Sequence, residues 1–423
     1  MTFPTLPTWP NEGPTFTALD VEPFFVWCAK LKISDITIQS DQPIIVEKDG
    51  RFHSVTKRLL SPNEVEDVLV KLYDGEVAKG LIQKTRDIDC AYEAKPTRGE
   101  LYRFRINATA VYGGIQITAR TIQDQPPRIE DLKVEPEIIQ NIAPKNGLIL
   151  VTGATGSGKT TLLAGIIRYL LELPDGHRKI ITYESPIEFV YTKVERGASP
   201  IPGQTEIGEG RMLKDWNEAI RNALRRAPDV ILLGEARDAE TLAGTIEACQ
   251  TGHLVYTTVH TSGFVETIPR MISQFPPASK NARATDIISA LQMVISQMLV
   301  PKVDGKRVAL REYVIFNDEI VNMLLNYKGG IDNIQMACRE VLKKYGRSFI
   351  QDAREKFEQG IISEAEFKEV ARKMDAEDRD SVLSESRNVR DTNAQILVEK
   401  EKNDASEKQS GGMFDDLLRN NEG

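Results

Sequence analysis

Cysteine and histidine are scarce, with four of each among 423 residues. Cys28, Cys90, Cys249 and Cys338 show no C-x-x-C spacing and no histidine set to join them, which excludes a disulfide framework or a zinc site as the organising feature. A reducing cytoplasm is the expected setting. Long apolar runs are missing too, and none approaches the ~18 residues that a membrane span needs. The nearest, residues 287–300, is broken by Ser289, Gln292, Ser296 and Gln297. Its Ile287, Leu291, Val294 and Met298 recur at helical spacing, which predicts a core-facing helix. The N-terminus has no basic stretch followed by an apolar core, so no signal peptide is expected. Positive charge is also in deficit: 54 Lys and Arg against 62 Asp and Glu leave a net charge of −8. With no basic runs interleaved with aromatics, direct nucleic-acid binding is not expected.

What is present is ordinary for a globular protein, 41% hydrophobic and 27% charged, over a length sufficient for two or three domains. Residues 1–20, rich in Pro and Thr, predict a flexible arm. Residues 21–122 mix helical and strand-like patterns and predict an α+β domain. Within it Ser61-Pro62-Asn63-Glu64 is a helix-opening capping box, and Tyr112-Gly113-Gly114 turns one strand into the next. Gln125-Pro126-Pro127 and Glu135-Pro136 place a hinge-like linker at 123–136. From 137 to 328 strands alternate with helices, the pattern of an α/β domain built on a mainly parallel sheet. Helices follow over 329–374, and the acidic and polar stretch 375–423 predicts a largely disordered tail, with Met413 to Leu418 a small apolar island near its end.

The α/β region holds Gly153-Ala154-Thr155-Gly156-Ser157-Gly158-Lys159-Thr160, which fits G-x-x-x-x-G-K-[ST]. An apolar strand precedes it and a helix-like run beginning at Thr161 follows. In that context glycines let successive N–H groups face a polyphosphate, and the helix turns its positive end to the same point. A nucleoside triphosphate is the expected ligand, with Lys159 on its β- and γ-phosphates and the Thr160 hydroxyl on Mg²⁺. Asp229-Val230-Ile231-Leu232-Leu233-Gly234-Glu235 is a second buried strand, ending in the acid expected to hold Mg²⁺. Glu184 and Glu188 follow a third strand, and either could orient the attacking water. His253 and His260 flank a fourth, where a pair of histidines can report phosphate state to a neighbour. Arg103, Arg105 and Arg120 read by pattern as a solvated strand face, and Arg221, Arg225 and Arg226 as a solvated helix face.

In fixed order these boxes resemble the secretion and type IV pilus ATPase family, ring-forming PilT-like motors, over roughly residues 25–325. Residues 228–241 look like the family's Walker B segment with glutamate at the acid position. Residues 184–188 resemble its Asp box, and residues 251–261 its His box. The resemblance implies a RecA-like ATPase domain after a PAS-like α+β domain, and selects Glu188 as general base. It implies catalytic roles for Glu235 and His260 and a nucleotide contact for His253. Arg105 and Arg120 match arginines that serve the neighbouring subunit, while Gly113 stands at a third such position. Residues 221–226, 307–313 and 356–364 resemble the branch serving Dot/Icm type IVB secretion and conjugation. A cytoplasmic homo-hexamer follows as an expectation, recruited by partner proteins of a secretion or transfer complex to the inner membrane's cytoplasmic face. A pilus-retraction motor and a DNA-translocating motor are the alternatives.

Overall fold

The computed structural model describes residues 6–373, except 49, 123–124, 209–210 and 237. The expected tail and the island at Met413 to Leu418 therefore lie outside the described residues, as do residues 1–5 of the arm. The rest of the arm is anchored rather than flexible. Trp9 N donates to Val55 O at 2.8 Å, and the buried rings of Trp9 and Phe16 meet Phe24 at centroid distances of 5.3 and 5.7 Å. Burial of two large rings favours the ordered position of this proline-rich segment.

Helix α1 (Ala18–Lys30) leads into β1 (Asp35–Gln39), β2 (Ile45–Lys48) and β3 (Arg51–Ser54). Helix α2 (Pro62–Tyr73) opens on the expected capping box, Ser61 N donating to the Glu64 carboxylate and Glu64 N to Ser61 Oγ. Helix α3 (Val77–Thr85) and strands β4 (Asp87–Ala94), β5 (Tyr102–Val111) and β6 (Gly114–Ile122) complete the first layer. The sheet runs β3-β2-β1-β6-β5-β4, antiparallel at every pairing. Ile36, Ile38, Phe104, Ile106 and Ile117 enter the core from one face. The two-residue period then commits Arg103, Arg105 and Arg120 to the other, with Arg105 and Arg120 directly opposite each other across β5 and β6.

Helix α4 (Pro136–Asn141) begins the second layer. It continues with β7 (Gly147–Thr152), α5 (Lys159–Glu172), β8 (Ile180–Glu184), β9 (Gly203–Glu206), α6 (Trp216–Arg225) and β10 (Val230–Leu233). Then come α7 (Ala239–Gln250), β11 (Leu254–Val259), α8 (Phe264–Ser273), α9 (Lys280–Ala290), β12 (Leu291–Pro301), β13 (Arg307–Ile315), α10 (Asp318–Leu325) and α11 (Ile334–Tyr345). The sheet order is β13-β12-β7-β11-β10-β8-β9, parallel from β12 through β9. Every residue of β7, β8, β10 and β11 is buried, as a parallel sheet covered on both faces requires.

One expectation fails here. The helix predicted over residues 287–300 stops at Ala290, and from Leu291 the chain is strand β12, paired with β7 from Leu291 opposite Leu148 to Ser296 opposite Thr152. Four apolar residues at helical spacing satisfied the helical pattern. Yet the consecutive Met293, Val294 and Ile295 are all fully buried, which suits a strand covered on both faces and not a helix with one wet side.

Ile334, Ala337 and Val341 of α11 join the core that holds α8, and one compact unit takes in both layers, the described residues through Leu299 and then Arg311–Arg347. A second unit comprises residues 300–310 and the described residues from Ser348 to Lys373, with α12 (Phe349–Glu358) and α13 (Glu364–Arg372). Within it Phe357 stacks on Phe367 at 5.4 Å, and Ser363 Oγ caps α13 by accepting from Glu366 N. No helix among the described residues is long and apolar enough to cross a membrane. All four cysteines are buried and unpaired.

Candidate active site

Strand β7 delivers the chain into the glycine-rich loop, and α5 starts at Lys159. Gly153, Gly156 and Gly158 have φ of +146°, +78° and +85°. Space adds a second constraint: a Cβ on Gly153 would lie 2.3 Å from Gln297 O, and one on Gly158 would lie 2.9 Å from Gln297 Nε2. Only glycine meets both demands. Ala154, Thr155, Gly156 and Thr160 are exposed at the rim, and Thr161 is half-buried. Lys159 Nζ donates to Gly153 O and Ala154 O at 2.8 and 2.9 Å, over the hollow of the loop. Burial lowers its pKa, and Glu235 pulls the other way. The buried Ser157 Oγ has no hydrogen-bond partner among the described residues. An orphaned hydroxyl, an ammonium and inward-turned glycines at a helix N-terminus fit a polyphosphate.

Two strands away, β10 ends beside Gly234, whose N donates to Tyr183 O at 2.8 Å. A Cβ there would come within 3.2 Å of both Tyr183 O and the Trp216 ring, which accounts for glycine where many such strands carry an acid. Glu235 follows, its Oε1 3.2 Å from His260 Nε2 just past the end of β11. Lys159, Glu235 and His260 thus gather at the carboxyl ends of adjacent parallel strands, where open α/β sheets bind ligands.

The two candidate glutamates, Glu184 closing β8 and Glu188 beyond it, separate clearly. Glu184 is buried, with its Oε1 accepting from Thr182 Oγ1 at 2.6 Å and from Gln204 Nε2 at 3.2 Å. Desolvation outweighs both hydrogen bonds and pushes its pKa up to about 7. Folded chains then hold this proton up to about pH 7 while unfolded chains release it near 4.5, so stability falls as pH rises through that window. Glu184→Gln should remove the loss. Its melting temperature relative to wild type is expected to climb between pH 5 and pH 8, and a pH-independent difference would refute the assignment.

Glu188 lies on the loop beyond, gripped by the first sheet. Arg103 Nη1 donates to Glu188 O at 2.6 Å and Nη2 to Ile187 O at 2.7 Å, while Nε pairs with Glu93 Oε1 at 3.1 Å. At 2% exposure Arg103 is no solvated residue, and that expectation is overturned. Arg105 Nη1 reaches Glu188 Oε1 at 3.1 Å. Arg120, though opposite Arg105, turns to Asp35 at 2.8 Å and stays mostly exposed, so the structure does not bring it into its own chain's site. On α6, Arg221 and Arg225 are exposed as expected, whereas Arg226, just past its end, turns towards Thr205.

His253 does not join the site either. It precedes β11, its Nδ1 2.9 Å from Ala248 O, and its carbonyl accepts from Gly147 N at the start of β7. Because β7 and β11 are parallel, the residue before β11 lies at the sheet edge opposite the loop, about 20 Å away for six residues of strand. Sequence reasoning missed Gln297, Arg311 and Glu135, which sit behind the loop. The available signal was the polar break at Ser296 and Gln297, put down instead to one side of a helix.

A strand, phosphate loop and helix with acids at the ends of neighbouring parallel strands define a RecA-like ATPase layer, here preceded by an antiparallel α+β layer. The chain belongs to the family described as Type II/IV secretion system protein, which matches residues 93–401, and is an ATPase of the secretion and pilus motor class. The Type IV pilus retractation ATPase PilT of Pseudomonas aeruginosa is 33% identical over 309 residues, 72% of this chain and 85% of that protein. The X-ray structure of the Legionella pneumophila ATPase DotB is similar at 43% identity and a TM-score of 0.80, covering 87% of this chain and 99% of that one. A crystal structure of the pilus retraction motor PilT with bound ADP follows at 30% identity and a TM-score of 0.71, with 84% and 98% coverage.

Proposed function

We propose that this chain is a cytoplasmic, ring-forming ATPase, six-fold in assembly, that powers a type IVB secretion or conjugative transfer apparatus at the inner membrane's cytoplasmic face. The observation that carries this reading over a pilus-retraction motor is the likeness to Legionella DotB, higher in identity and TM-score than that to PilT. Partner proteins of the apparatus supply membrane recruitment, and direct contact with nucleic acid plays no part. The net charge of −8 likewise disfavours a DNA-translocating motor.

In this reading the N–H groups of residues 153–161 cradle the phosphates and the Lys159 ammonium offsets charge on the β- and γ-oxygens. No group of three or more His, Cys, Asp or Glu suited to a metal occurs among the described residues. Mg²⁺ would be held by the Thr160 hydroxyl and Glu235 together with phosphate oxygens, and would neutralise charge on them. Glu188 takes the proton of a water whose oxygen bonds to the γ-phosphorus as the bond to the β–γ bridging oxygen breaks, leaving ADP and phosphate. His260 holds the Glu235 carboxylate in place. Arg105 and Arg120, paired on one sheet face, serve the nucleotide of the neighbouring subunit.

Deleting the gene in its host should abolish transfer of effector protein or relaxase-bound DNA and leave surface twitching intact. Loss of twitching with transfer preserved would assign the chain to pilus retraction.

A further inference from the structure

Behind the phosphate loop lies a buried polar chain that the reaction as described does not use. Gln297 on β12 is 4% exposed; its Nε2 donates to Ser157 O at 2.8 Å and its Oε1 accepts from Arg311 Nε at 2.9 Å. Arg311 on β13 is 2% exposed. Its Nη2 donates to Leu132 O at 2.9 Å, and its Nη1 donates to Lys133 O and to Glu135 Oε2, both at 3.1 Å. Those three acceptors belong to the linker between the two sheets. The linker is thus strapped down rather than a free hinge, and Arg168 of α5 adds a bond to Pro126 O at 2.6 Å.

The orientation of the amide follows from chemistry. Arginine only donates, so Gln297 must turn its oxygen to Arg311, which leaves its NH₂ for the loop carbonyl. In a planar trans peptide the next N–H points opposite to the carbonyl. Pinning Ser157 O towards Gln297 therefore aims Gly158 N–H away from Gln297, into the hollow of the loop. An apolar residue would fill this core position without the desolvation cost that Gln297 and Arg311 carry. Both amide atoms of Gln297 and all three guanidinium nitrogens of Arg311 are hydrogen-bonded, and the two ends of this polar chain are the phosphate loop and the linker.

We propose that Gln297 and Arg311 are positioning residues that couple the phosphate loop to the interdomain linker. Nucleotide in the loop tightens the linker, and the state of the linker sets nucleotide affinity. The inference rests on the phosphate loop being the nucleotide site.

The test titrates a fluorescent ATP analogue into the full chain and its variants, with melting temperatures alongside. Gln297→Met is close in volume and loses both hydrogen bonds. Gln297→Glu keeps Arg311 but cannot donate to Ser157 O. Each should raise the dissociation constant about tenfold, the effect of one well-placed buried hydrogen bond. Glu135→Gln, at the linker end, should raise it roughly threefold, and that increment should vanish in the Gln297→Met background. In wild type the analogue should slow amide exchange over residues 125–135. Additive effects, unchanged affinity with lowered melting temperature, or linker exchange indifferent to nucleotide would each overturn the coupling. Lys159→Ala separates the two levels. Retained binding there would overturn the site itself, whereas lost binding there with unaltered binding in the Gln297 variants would overturn only the coupling.

Discussion

Replacing Lys159 by Ala is expected to cut ATP turnover by about 10²- to 10³-fold, the loss seen when one preorganised charge or donor is taken from a reacting centre. The fold should survive. Among the described residues the ammonium's hydrogen bonds go to the loop carbonyls Gly153 O and Ala154 O, so its removal should cost the fold about 1 kcal/mol. Phosphate release measured beside the melting curve distinguishes the two effects. A variant that melts like wild type and turns over at a comparable rate would place the nucleotide elsewhere.

Glu188→Gln should be nearly as damaging to turnover, by about 10²- to 10⁴-fold, while leaving nucleotide affinity close to wild type. The loop should keep its place, because Arg103 grips the carbonyls of Ile187 and Glu188 and is indifferent to the side chain between them. Loss of the partly exposed pair with Arg105 costs less than about 1 kcal/mol. A near-isosteric change on a fixed loop therefore tests the carboxylate alone. Single-turnover hydrolysis at wild-type rate in this variant would remove Glu188 from the general-base role.

Much of this site could be read from local pattern. The phosphate loop, the acid after β10 and the acids after β8 each follow a run of buried apolar residues, and a parallel sheet puts the carboxyl ends of such runs on one edge. The same rule could have excluded His253, which precedes its strand and so falls on the far edge. Spacing failed at residues 287–300, where helix and two-faced strand accommodate the same apolar positions. It also failed at Arg103, since nothing local distinguishes a buried arginine from a solvated one. What buries it is contact with Ile187 and Glu188, more than eighty positions away. Gln297, Arg311 and Glu135 escaped for the same reason, being joined only when β12, β13 and the linker converge.

The four buried cysteines carry a practical consequence. The thiolate is the reactive form, and desolvation withholds it: the thiol of Cys90 is pushed up to about 11 and those of Cys249 and Cys338 to about 12, while Cys28 is raised as well. Towards maleimide reagents the native chain is expected to react as though it had no cysteine. A thiol introduced at Tyr112, on the exposed β5–β6 turn, and another at Met336, exposed on α11, would be the preferred labelling sites without any substitution in the core. Dyes at those two positions turn the distance between the antiparallel and parallel sheets into an optical signal, recorded on the otherwise native protein while it hydrolyses ATP.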